Sequence, residues 1–134
     1  MEKTKINAAI HQLRSGLEEY DSGKFNGRYL LIEKVNPNGI IHMIRTGTEK
    51  EAYSKILAAA IREIRETELH ENANHMQDSM ECSILVKCGG LIGIDEKKRK
   101  IYLSRKSMGH SAAHIDTVRH VLASTYNYYR INSD

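Results

Sequence analysis

The chain has 134 residues, 40% of them hydrophobic and 28% charged, with a formal net charge of +3 and a pI of about 8.8. That composition fits one globular domain over residues 1–134, large enough to bury a core without staples, and disorder is not the default expectation. The charge favours anionic partners only weakly. No apolar run reaches membrane-spanning length and no secretory signal is visible, so the expected compartment is the cytoplasm, with no membrane contact.

Ile6, Ala9, Ile10, Leu13 and Leu17 recur at three- and four-residue steps. They predict an amphipathic N-terminal helix within residues 1–22 that fades at Asp21-Ser22-Gly23. Residues 28–35 read as a strand, and Asn36-Pro37-Asn38-Gly39 turns it into a second strand over 40–45, which makes a hairpin. A helix is expected from Thr48, an N-cap with Glu51 three residues on, through Ile56, Leu57, Ala60, Ile61 and Ile64 to about His70. A strand over 81–87, a break at Gly89-Gly90 and a short strand over 91–94 follow. The Asp95-Glu96-Lys97-Lys98 turn leads into a strand at 100–103, a helix covers 113–122, and the tyrosine-rich stretch 126–131 reads as a last strand. The expected fold is therefore α+β, with helices packed on a mixed or antiparallel sheet.

Between the strand at 100–103 and the helix after it lies Arg105-Lys106-Ser107-Met108-Gly109-His110-Ser111. Cations, small residues and hydroxyls at the start of a helix suit an anion. The first amides of the helix lack ladder partners and carry the positive end of its dipole, and Gly109 allows close approach to the backbone. The plainer alternative is that Ser111 caps the helix while Arg105 and Lys106 are solvated.

These segments resemble the Janus/ocnus family, which includes the small protein-histidine phosphatases. The likeness is carried by Lys87-Cys88-Gly89-Gly90-Leu91-Ile92, by Lys98-Arg99-Lys100-Ile101-Tyr102-Leu103, and by Ser107-Met108 with His114. Upstream, Arg28-Tyr29-Leu30-Leu31-Ile32 looks like the family's lysine-led strand, and Ile44-Arg45 like its next strand and arginine. The Janus-like region runs over residues 25–131, with the N-terminal helix as an addition. The resemblance implies a phosphatase that acts on phosphohistidine in a protein or small molecule, with no metal and no cofactor. It implies a phosphate cradle at Ser107, Met108 and Gly109, assisted by Arg28 in place of the family's lysine and by Arg45, and it matches His114 to the family's second histidine.

The departures fall on the chemistry. Where the family places its catalytic histidine this chain has Ala52-Tyr53-Ser54, and Leu91 stands where an arginine follows the paired glycines. Tyrosine and serine have ordinary pKa values too high for a base near neutrality, so His110 and His114 become the candidates for proton transfer. Two alternatives follow. One is a catalytically degenerate module that binds a phospho-ligand or a protein. The other is a small nucleic-acid-binding domain that uses Lys97-Lys98-Arg99-Lys100 and the tyrosines at 126, 128 and 129. His110 and His114 lack a third ligand for zinc. Cys82 and Cys88, six apart on an expected strand, would face one way and remain reduced thiols.

Overall fold

A computed structural model describes residues 13–37, 39–71, 83–104 and 112–133; for 67–71 and 112–114 only the backbone is described. The elements in order are β1 (Glu18–Asp21), β2 (Lys24–Asn36), β3 (Gly39–Gly47), α1 (Tyr53–Glu71), β4 (Ser83–Asp95), β5 (Lys100–Ser104), α2 (Ala112–Thr125) and β6 (Arg130–Ser133). The six strands form one mixed sheet, and the fold is α+β as the sequence implies. β2 pairs antiparallel with β1, β3 and β4, β4 pairs antiparallel with β5, and β5 pairs parallel with β6.

β2 is central because its Tyr29-Leu30-Leu31-Ile32 run is apolar on both faces, and all four side chains are buried. Alternation sends Tyr29 and Leu31 to one face, where they pack with Ile115, Val118 and Leu122 of α2. Leu30 and Ile32 go to the other, with Ile56, Ala60 and Ile64 of α1. One helix therefore covers each face, and which helix a side chain meets follows from whether its β2 position is odd or even.

Several boundaries differ from expectation. Residues 13–15 are helical, but the N-terminal helix does not reach 22, because 18–21 form the exposed strand β1 against the start of β2. Thr48 does not cap the helix as expected: Glu51 N donates to Thr48 O at 3.1 Å and Thr48 N to Glu51 Oε1 at 3.4 Å, which closes a turn, and α1 starts only at Tyr53. β4 runs unbroken through Gly89-Gly90, which pair with Leu30 and Tyr29. Glycine is tolerated there because the buried Tyr29 ring faces Gly90 directly across the ladder.

A bulge interrupts β4 upstream. Leu31 pairs with Cys88 and Ile32 with Val86, which leaves Lys87 as the extra residue. The bulge inverts the alternation: Ile84 packs on the α1 side, while Cys88, four residues on, is buried on the α2 side. The parity that put positions 82 and 88 on one face is lost across the bulge; Cys82 itself lies outside the described residues. Burial pushes the free Cys88 thiol up from 9.0 to about 11.

The tyrosine stretch is not a strand until Arg130. Tyr126 N still donates to Leu122 O at 2.7 Å, and its ring is buried in the α2-side core, edge-on to Tyr129 at 5.7 Å. Only Tyr128 is strongly exposed, at 78%.

Candidate functional site

Sheet register gathers the candidate site. Gly47 of β3, Arg28 of β2, Leu91 of β4 and Ser104 of β5 stand in one row across four strands. Directly paired residues share a face, and Arg28 lies two positions from Leu30, so the row's side chains face the α1 side. β3 ends in this row on its way to α1, and β5 ends in it on its way to α2. Two short strands thus leave the long central pair at the same level.

Arg28 is held there by the chain entering α1. Its Nη1 donates to Glu51 O at 3.0 Å, and its guanidinium carbon lies 5.0 Å from the Tyr53 ring centre, a cation–π distance. Its enclosed Nε has no acceptor, and Arg28 makes no ion pair among the described residues. Tyr53 is pinned in turn: its hydroxyl donates to Gly90 O at 3.0 Å. Ser54 is exposed one residue further on.

Arg45 shares the face, one strand over and paired with Leu30, but it is differently occupied. Nε and Nη2 donate to both carboxylate oxygens of Glu63 on α1 at 3.2 and 2.8 Å, and Nη1 donates to Ile44 O at 3.0 Å. All three nitrogens are engaged, so the bidentate pair ties α1 to β3 and Arg45 is not presented to an anion. Of the two expected cations, the geometry leaves Arg28. Sequence pattern gave no sign that Glu63 would hold Arg45 or that the Glu51 carbonyl would hold Arg28, because the partners are 18 and 23 residues apart.

Beside the row an open groove of about 430 Å³ runs over the part of this face below α1, lined by Asn26, Glu49, Leu91, Gly93, Tyr102 and Ser104 among others. Leu91, in the place where the resembled family has an arginine, gives the groove an apolar wall.

Ser107, Met108, Gly109 and His110 lie outside the described residues, on the stretch that joins Ser104 to α2. His114 falls in the first turn of α2, with its side chain also outside them. The described imidazoles are elsewhere: His42 is 3.5 Å from Glu33 on the neighbouring strand, and His120 is exposed on α2. No group of three or more His, Cys, Asp or Glu among the described residues is arranged for a metal. No described helix is long and apolar enough to cross a membrane.

No model of a known protein family matches this chain, and none of the curated proteins matches it at a significant level. The likeness to the Janus/ocnus family is one of short residue runs and their order.

Proposed function

We propose that the domain binds a phosphoryl group with Arg28 and with Ser107, Met108 and Gly109, which follow Ser104 in the sequence, and that its activity is metal-independent hydrolysis of phosphohistidine or a related phosphoramidate. One observation carries the reading: Arg28 is clamped by Tyr53 and Glu51 O in the same row as Ser104, three residues before Ser107, and no carboxylate among the described residues pairs with it. A fixed cation is one of the groups that phosphoryl oxygens require. Arg45 acts through Glu63 in docking α1 and does not touch the ligand.

Hydrolysis also needs a base for the attacking water and a proton for the departing imidazole. Tyr53 is ill suited, since its hydroxyl proton is directed at Gly90 O. His110 and His114 are the groups proposed for proton transfer, the first within the loop and the second on the helix that follows it. The same Tyr53 contact favours a second reading, a module that recognises a phosphorylated ligand without turning it over.

Single-turnover assays on a phosphohistidine peptide separate the two. The enzymatic reading expects wild-type hydrolysis that falls by about 10²–10⁴-fold in His110→Ala or His114→Ala, with phosphate binding retained. Inert wild-type protein that binds phosphate, together with activity gained in Ser54→His, selects the binding module. Wild-type protein with neither activity nor phosphate affinity defeats both.

A further inference from the structure

At the other end of β5 from Ser104, a second groove of about 540 Å³ lies between the β4–β5 turn and the loop joining α2 to β6. Lys98, Arg99, Lys100 and Arg130 line it, with Asn127, Tyr128 and Tyr129. Parallel pairing brings these distant segments together, since Lys100 stands beside Arg130 and Arg130 N donates to Arg99 O at 2.8 Å. Four cations therefore surround one concave surface, and none is in an ion pair among the described residues. The turn's acids are occupied: Arg14 holds both oxygens of Glu96 at 3.1 and 2.9 Å, and Asp95 accepts from Lys98 N at 3.1 Å.

Two features argue that this surface does more than stay solvated. Arg99 has φ 53°, a left-handed conformation in which glycine or asparagine is favoured. A long cationic side chain at a backbone position that favours glycine points to use of that side chain. Tyr128 stands out of the same groove with 78% of its surface exposed, while Tyr126 and Tyr129 are held against the core.

We propose that this groove binds single-stranded nucleic acid, with Lys98, Arg99, Lys100 and Arg130 on successive phosphates and a base stacked on Tyr128. A flat exposed ring among unpaired cations meets both parts of a nucleotide, whereas an acidic peptide would use the cations alone. A single strand fits better than a duplex because its bases are open to stacking. The groove is about 13 Å along β5 from the Arg28 row, so this inference is independent of the phosphatase reading.

The test is fluorescence anisotropy of the full chain with a labelled oligouridylate and a labelled oligothymidylate, from about 50 to about 200 mM salt. Log affinity should fall against log salt with a slope of about −3, for four phosphate contacts. Tyr128→Ala should bind about fivefold more weakly or worse. Arg99→Gly should lose affinity and about 0.7 of the salt slope while melting no lower than wild type, because glycine relieves the strain; this separates binding from folding. Absence of oligonucleotide binding at low salt overturns the proposal, as does affinity unchanged in Arg99→Gly and Tyr128→Ala. Polyglutamate bound as tightly as the oligonucleotide, with Tyr128→Ala without effect, overturns it in favour of an acidic protein partner.

Discussion

Each face of the sheet carries one helix, yet the two faces are built from different side chains. Among the described residues the α2 side encloses fourteen buried residues drawn from four of the six strands, the segment at residues 13–17 and α2 with its C-terminal flank, all of them apolar, aromatic or thiol. The α1 side encloses five, and beside them stand Arg28, Arg45 and Tyr53, held by named polar contacts. The difference teaches a division of labour: one face supplies stability, and the other has its cations fixed in place and a groove left open. Arg28 and Arg45 are positioned with equal care and opposite result, one without a carboxylate among the described residues and the other closed on Glu63.

The contrast can be broken first by truncation. Leu122→Ala, in the fully enclosed α2-side core, should destabilise the domain by about 2–5 kcal/mol in denaturant unfolding, whereas Leu57→Ala on the half-buried α1 side should cost about 1–2. Equal costs would remove the asymmetry. Gly47→Ala comes next, because an added Cβ would meet Ile56 side-chain atoms at 2.7 and 2.8 Å. It should cost about 1–3 kcal/mol by displacing α1, and a neutral result would mean that α1 is loosely seated.

The sequence showed residues 28–35 of β2 as a strand, whereas its start at Lys24 and its burial on both faces come from pairing and from the two helices. The Asn36–Gly39 turn and the spacing of Ile56, Ala60 and Ile64 were equally legible. Other features had no local signal. Glu18-Glu19-Tyr20-Asp21 is wholly exposed and gains its strand character only by pairing with β2. The bulge at Lys87 is set by register with β2, and Gly89-Gly90 behaves as strand because Tyr29 lies opposite. Tyr126 resembles a strand residue in isolation but closes the core at the end of α2. At the site, Arg28 could be named from the family resemblance, whereas the clamp from Tyr53 and Glu51 and the capture of Arg45 by Glu63 arise from tertiary packing alone.

Cys88 sharpens the comparison at alkaline pH. Its folded value of about 11 exceeds its ordinary 9.0, so the folded state holds the proton longer than the unfolded chain. The associated stability is fully present below pH 9 and is lost as pH rises from about 9 towards 11. Unfolding free energy measured against pH should fall through that window, and less steeply in Cys88→Ala. Burial and the neighbouring Tyr129 raise Tyr126 as well, which adds a loss of the same sign at higher pH. The smallest effect belongs to Arg45→Ala: its partly exposed pair with Glu63 should contribute about 0.5–1 kcal/mol to stability, checked by a double-mutant cycle with Glu63→Ala.

The central claim is that Arg28, and not Arg45, meets the phosphoryl group. An NMR chemical-shift titration of wild type, Arg28→Ala and Arg45→Ala with inorganic phosphate tests it directly. Arg28→Ala should weaken binding by about 1.5–3 kcal/mol while Arg45→Ala stays within about 0.5 of wild type. Equal losses in both variants, or phosphate binding untouched by Arg28→Ala, would contradict it.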